Sequence, residues 1–353
     1  MEVRSKAEIL ATLDKHGRLE GLPFMPEMFA FCGRRFRVYK RAHKTCDTVN
    51  QTGGRRMNAA VHLEGLRCNG EAHGGCQASC LLFWKEVWLK PVAEQAKAAP
   101  TASSAAGCSE ADVTAGTMKP AESKIDSPAY VCQATEIPAA TSLIPWWDAR
   151  QFVEDYSSGN VELWNIVKGL FYAGYNRLIN AGIGLGAILR GVYEVFQKVV
   201  GGVPYPRRHG KIPAGGNTPS AKLDLQPGDL VRVKPYSEIL KTVDEHNRNR
   251  GLYFDAEMVP YCGGTYRVLK RVSRIINERT GKMMTFKNDC IILDGVICQS
   301  RYSEKRFFCP RAIYSYWREI WLERVEPGEP GITACPSAER HTTYQEPCQQ
   351  SLT

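Results

Sequence analysis

The feature that most constrains this chain is an internal repeat. Residues 1–42 ("MEVRSKAEILATLDKHGRLEGLPFMPEMFAFCGRRFRVYKRA") align without a gap against 231–272 ("VRVKPYSEILKTVDEHNRNRGLYFDAEMVPYCGGTYRVLKRV"). Identical pairs at constant offset include Glu8/Glu238, Asp14/Asp244, Gly21/Gly251, Phe24/Phe254, Glu27/Glu257, Met28/Met258, Cys32/Cys262 and Arg37/Arg267. The copies then diverge in length and rejoin at "HLEGLRC" (62–68) and "ILDGVIC" (292–298). They finish alike, in "FWKEVWLKPV" (83–92) and "YWREIWLERV" (316–325). A repeat this long reads as a duplicated structural unit. The chain is therefore expected to hold two related modules, 1–93 and 225–326.

Each copy reads as a small β-rich unit. "GDLVRVKP" (228–235) alternates Leu230, Val231 and Val233 after a Gly-Asp turn, which predicts a strand. "SEILKTVDEHNR" places Ile239, Leu240 and Val243 on one helical face. "CGGTYRVLKRV" and "CGRRFRVYKRA" alternate apolar and basic residues after a glycine, as half-buried strands do. "DCIILDGVIC" reads as two short strands around an Asp-Gly turn. The closing "YWREIWLERV" reads as a final strand, or as a short helix leading into one, and Trp84, Trp88, Trp317 and Trp321 read as core. The first copy lacks the "QPGDL" lead, so either its first strand is truncated or its true start lies upstream.

Between the copies, residues 94–142 open with an Ala-, Ser-, Thr- and Pro-rich stretch without periodicity, and the whole is expected to be a flexible linker. Residues 143–205 are an apolar helical connector. Its longest uncharged run, "LINAGIGLGAIL" (178–189), is too short for a bilayer, and extending it over 169–189 includes Arg177. A helix pair that lies on a membrane surface or binds a protein partner through 143–200 is expected rather than a span. Residues 327–353 read as a disordered polar tail.

Thirteen cysteines are the chemical signal. The opening residues are charged at once and show no secretory pattern, so a cytoplasmic, reducing setting is expected, with membrane association through the connector. There, clustered cysteines point to metal ligands or reactive thiols ahead of disulfides. The repeat pairs Cys32 with Cys262, Cys68 with Cys298 and Cys76 with Cys309. Copy one adds Cys46 and Cys80, and copy two adds Cys290, while Cys108, Cys132, Cys335 and Cys348 lie outside the modules. Each copy thus offers the four thiols that Zn²⁺ or an iron–sulfur cluster requires. The expected metal set is Cys32, Cys46, Cys68, Cys76, Cys80, Cys262, Cys290, Cys298 and Cys309. Neither copy has a C-x2-C knuckle, and His62 and His73 occur only in copy one, where His73 reads as a loop residue. Buried free thiols and redox-active thiols are the competing readings. The glycines of "CNGEAHGGC" favour a loop wrapped around something.

The repeated stretches "LPFMPEMFAFCGRRFRVYKRAHKTCDT", "HLEGLRCNGEAHGGCQASCLLFWKEVWL", "YFDAEMVPYCGGTYRVLKR" and "CPRAIYSYWREIWLERV" resemble a bacterial family of duplicated Cys-rich small-barrel proteins. "GDLVRVK" is similar to the first strand of KOW- and Tudor-type barrels. The resemblance brings no established activity with it. The fold class expected is α+β: two tandem, mostly antiparallel, barrel-like Cys-rich modules joined by a linker and an apolar helical segment.

Catalytic signatures are absent from the sequence: there is no Walker A, G-x-S-x-G or H-E-x-x-H, and "GIGLG" (182–186) lacks a preceding strand. Glu27 and Glu257 are the acids the repeat singles out, and a buried ion pair accounts for them as well as chemistry does. Charge is spread as 15 Lys+Arg against 9 Asp+Glu over 1–93, and 18 against 13 over 225–326. Such mildly basic modules permit nucleic-acid association without favouring it. The function expected is a non-catalytic metal-binding accessory protein. A redox or sulfur-handling enzyme using Cys68, Cys76 and Cys80 is the alternative, and a nucleic-acid-associated barrel the second.

Overall fold

The computed structural model describes residues 1–92, 107–120, 127–145, 147–182 and 184–325, and the tail expected at 327–353 lies outside them. Strands β1 (Val38–Arg41), β2 (Ala60–Arg67) and β3 (Leu81–Lys85) form an antiparallel sheet in that order in the first module. In the second module β4 (Leu230–Val233), β5 (Thr265–Ile276), β6 (Met283–Leu293) and β7 (Leu322–Arg324) form an antiparallel sheet of order β6-β5-β4-β7. Two register shifts, at Val268/Lys270 and Val272/Arg274, bend β5, as bulges do. The architecture is mixed α+β with small antiparallel sheets, one of them an open half-barrel.

Positions aligned by the repeat make matching contacts. Trp88 Nε1 donates to Thr12 Oγ1 at 3.0 Å, and Trp321 Nε1 donates to Thr242 Oγ1 at 3.0 Å. Phe24 meets Trp84 and Trp88 edge-on at 6.2 and 5.1 Å, while Phe254 meets Trp317 and Trp321 at 6.0 and 5.2 Å. All four indoles are fully buried, so they are core, as their spacing suggested. Each closing segment is a single 3₁₀ turn (Glu86–Trp88, Glu319–Trp321) running into a short strand. At the start of copy one only Glu2–Val3 is extended, against four residues in β4. "DCIILDGVIC" differs from expectation: β6 is one long strand, and after the turn at Gly295 only an isolated bridge, Ile297 to Tyr314, continues it.

The segment read as a flexible linker, 94–142, needs correction where it is described. Helix α1 (Glu110–Ala115) is capped by Ser109 and packs on Gly17, where a side chain would meet Val113 Cα at 2.8 Å. The Gln133 carboxamide accepts from Phe83 N–H and donates to the carbonyls of Phe83 and Pro23, at 2.8, 2.9 and 3.1 Å. Ser142 and Leu143 pair with Arg56 and Arg55. These bonds replace water at backbone groups of the first module, and they leave no mark in the composition.

The connector is helical as expected, in three pieces: α2 (Arg150–Ser157), α3 (Leu163–Ile179) and α4 (Gly186–Val199). No helix among the described residues is long and apolar enough to cross a membrane. Helix α2 inserts the fully buried Asp155, whose Oδ2 lies 2.5 Å from Lys44 Nζ and whose Oδ1 lies 3.1 Å from His43 Nε2. The Lys44 ammonium also lies 5.3 Å from the Phe152 ring and 5.7 Å from the Phe308 ring, a cation–π cage that offsets desolvation.

His62, on β2, is completely buried against Phe83, with Nδ1 2.9 Å from the Leu82 carbonyl. Burial pulls its pKa down to about 3, so protonation is favoured in the unfolded chain. Stability from this residue is fully present above about pH 6.5 and is lost as pH falls from there toward 3, at up to about 1.4 kcal/mol per pH unit. Urea unfolding at pH 7, 6 and 5 is expected to show that loss, and His62→Gln a shallower one. An unchanged slope in the variant would rule His62 out as the cause.

Candidate metal centre in the first module

The loop after β2 carries the site. Its local shape depends on glycine: Gly70 and Gly74 have φ of +80° and +73° and flank a 3₁₀ turn, Glu71–His73. A side chain at Gly70 would meet the Cys76 carbonyl oxygen at 2.0 Å, and one at Gly74 the Tyr130 ring at 2.5 Å. Only glycine allows both the left-handed backbone and this approach. The turn drives His73 inward until it is 1% exposed, which corrects its reading as an ordinary loop residue.

His73 Nε2 lies 3.3 Å from Cys68 Sγ. Glu27, on the 3₁₀ helix Pro26–Phe31, completes a group with them, one ligand atom of each lying within 4.8 Å of the others. Both carboxylate oxygens of Glu27 and His73 Nδ1 are buried without a hydrogen-bond partner. Burial, and then the Glu27 carboxylate, push the Cys68 thiol pKa far up, while burial pulls the His73 imidazole down. An imidazole held neutral is ready to ligate, and a bound cation would supply the charge that deprotonates the thiol. A small cavity of about 30 Å³ adjoins, lined by Cys68, His73, Cys76, Cys80 and Cys132, with Glu278 and Arg311 from the second module.

The equivalent carboxylate in copy two is differently placed. Glu257 accepts from the N–H groups of Arg301 and Tyr302, at 2.9 and 2.6 Å, and from Ser303 Oγ at 3.1 Å. Cys298, the partner of Cys68 in the repeat, has Sγ 3.4 Å from Ser300 Oγ. The longer second loop therefore satisfies its own carboxylate, and the shorter first one leaves it open.

The nine cysteines expected as ligands are not gathered as one set per copy. Cys68 alone joins the mixed group of three. Cys76 accepts a hydrogen bond from Ile276 N–H at 3.4 Å, and Cys80 borders the same cavity, its thiol pushed up to about 11 by burial. Cys32 and Cys262 each follow a 3₁₀ helix at the edge of their own core. Cys290 is buried in β6 beside Arg318, whose Nη1 lies 3.6 Å from its sulfur. Cys46 and Cys309 meet across the modules, Cys46 N–H donating to Cys309 Sγ at 3.1 Å. Glu27 was not among the expected ligands, and His73 was weighed only as a possible nitrogen donor. The identity of Glu27 with Glu257 drew attention to it, but nothing in the sequence told a satisfied carboxylate from an open one.

Arg311, 1% exposed, donates to Thr48 Oγ1 at 2.6 Å and to Glu278 Oε1 at 3.2 Å at the rear of the cavity. Arg311→Leu leaves the Glu278 carboxylate without its cation and is expected to cost about 3 kcal/mol. Chemical denaturation checks this, and Arg311→Leu combined with Glu278→Leu is expected to recover part of the loss. No family model matches the chain, and no curated protein or solved structure matches it.

Proposed function

We propose that the chain is a non-catalytic metal-binding protein whose first module holds one divalent transition-metal ion on Glu27, Cys68 and His73. The second module and the connector act as scaffold and partner-binding parts. The observation that carries this reading is the contrast between two aligned carboxylates: Glu257 has three backbone and hydroxyl donors, and Glu27 has none beyond the neighbouring Cys68 thiol. A buried, unpaired carboxylate costs several kcal/mol, and a cation between it, a thiol and an imidazole removes that cost. One sulfur, one nitrogen and one oxygen donor suit tetrahedral Zn²⁺ with a fourth position left for water or another thiol. An iron–sulfur cluster needs four thiolates, and this group supplies one. The carboxylate that could serve as a general base is itself a ligand here, which favours a structural or sensing role over hydrolysis. The paired Trp–Thr and Phe–Trp contacts support reading the modules as copies of one ancestral barrel-like unit, with the metal site specific to the first.

Isothermal titration of metal-stripped, reduced protein with Zn²⁺ is expected to show one tight site. Glu27→Gln, Cys68→Ser and His73→Ala are each expected to weaken it at least tenfold, and Glu257→Gln to leave it unchanged. Equal weakening by Glu257→Gln, or no effect of Cys68→Ser, would overturn the reading.

One observation favours the redox alternative, though at a different thiol. Burial raises Cys80 and Cys132 to about 11 and about 12, which works against thiolate formation at the first-module cavity. Cys309 is instead lowered, by a hydrogen bond from the Cys46 thiol, and it borders a cleft of about 460 Å³ beside Cys298 and Tyr302. In native protein at pH 7, mass-mapped alkylation is expected to label Cys309 before Cys80 or Cys132. Labelling of Cys309 no faster than theirs would remove this alternative.

A further inference from the structure

We infer that the helical hairpin 163–200 docks the protein onto an anionic lipid bilayer surface, lying in the interface without crossing it. The key observation is that α4 is turned inside out. Its apolar stripe, Leu185, Ile188, Val192, Val195, Phe196 and Val199, faces outward at 47–80% exposure. Its half-buried side carries Arg190, Tyr193, Glu194 and Gln197, and none of its residues is fully buried. A helix that packs on its own protein normally does the reverse.

Helix α3 extends the same apolar surface. Ile166, Tyr172 and Ile179 are buried, Ile166 and Tyr172 against Phe307 and Phe308, while Trp164, Val167, Leu170, Phe171 and Leu178 stand 45–73% exposed. Tyr175 OH donates to the Leu189 carbonyl at 2.6 Å, and Tyr193 stacks among Tyr172, Tyr175 and Tyr205, so the two helices are fixed together. Of the 24 large apolar residues exposed among the described residues, 13 fall within 163–200. Scattered exposed apolar residues are normal, but one contiguous concentration marks a contact surface.

Charge selects the occupant. Residues 163–200 hold Lys168, Arg177, Arg190 and Lys198 against one carboxylate, Glu194. That carboxylate is turned inward, 2.5 Å from Arg208 Nη2, and accepts from Tyr205 N–H at 3.1 Å. Lys168 and Lys198 are exposed, Arg177 lies 3.6 Å from Glu304 Oε2, and Lys168 Nζ lies 5.4 Å from the exposed Trp164 ring. A broad apolar face with cations along it and an indole among them matches the lipid headgroup boundary, where apolar area and anionic attraction add. The two helices are joined by the Tyr175–Leu189 hydrogen bond, and each presents a row of exposed apolar residues. Their 17 and 14 residues rise only about 26 and 21 Å, short of a roughly 30 Å hydrocarbon core. This inference does not depend on the metal centre.

Full-length protein is to be floated with vesicles of phosphatidylcholine alone and of phosphatidylcholine with one quarter phosphatidylglycerol. Binding to the anionic vesicles is expected to exceed binding to neutral ones at least tenfold and to fall in 0.5 M NaCl. Val195→Asp with Phe196→Glu, and separately Lys168→Glu with Lys198→Glu, are each expected to reduce it at least tenfold. All four positions are solvent-exposed, and circular dichroism confirms that the variants fold. Retention on neither vesicle, or binding by the Val195→Asp/Phe196→Glu variant at the wild-type level, would overturn the inference. So would a stable dimer that the same variant dissolves and that does not float, since the face would then belong to a second copy of this chain.

Discussion

A guanidinium withdrawn from water must be surrounded by acceptors, and Arg311 takes its acceptors from both ends of the chain. Thr48 comes from the first module, Glu278 from the second, and Thr48 also donates to Glu278, closing a half-buried triangle. Neighbouring bonds run the same way. Gln77 accepts from Ser273 N–H at 2.7 Å, its own N–H donates to the Arg274 carbonyl at 3.1 Å, and Lys270 Nζ donates to Ser79 Oγ at 2.6 Å. Residues 76–79 thus run alongside β5. Arg67 adds a hydrogen bond to the Ala312 carbonyl and lies 4.0 Å from the Tyr314 ring. Hydrogen bonds between partly buried polar groups specify geometry as much as they stabilise it. The cavity beside Cys68 and His73 exists because two modules, each with its own core, are locked at this junction.

The divergence of Glu27 and Glu257 follows from loop length. In copy two, the backbone after Cys298 turns at Ser300, with φ of +51°, and presents two N–H groups and a hydroxyl to Glu257. Burial raises the Glu257 pKa, and these donors pull it back, as expected for a carboxylate used as a structural clamp. In copy one, the loop is shorter and glycine-rich, and the place of the hydroxyl and amides is taken by an imidazole and a thiol. The same acid is a clamp in one copy and is left without such donors in the other.

The tryptophan cores, the strands at 38–41 and 265–276 and the helical connector were legible because each rests on local periodicity or on comparison of one copy with the other. The ordered pieces of 107–143 were not, since Gln133 and Ser109 act through backbone hydrogen bonds that leave no periodic trace. Cys46 beside Cys309, separated by 263 positions, could not be read from spacing at all. Net charge was a weak guide for a related reason. Arg271 pairs with Glu319 and Asp289, Arg324 with Asp229 and Arg56 with Glu154. Paired cations of this kind release few counterions to a polyanion, so the sum over the chain overstates what the surface offers.

The connector is fastened to the two modules unevenly. Its attachment weakens along its length: α2 is fastened by a buried carboxylate on Lys44, α3 by one apolar edge on Phe307 and Phe308, and α4 by no fully buried residue. Local stability follows buried contact. The apolar content that suggested a membrane helix is real, but it is divided between a face that packs and a face that does not. That division, rather than hydropathy alone, distinguishes an interfacial hairpin from a span.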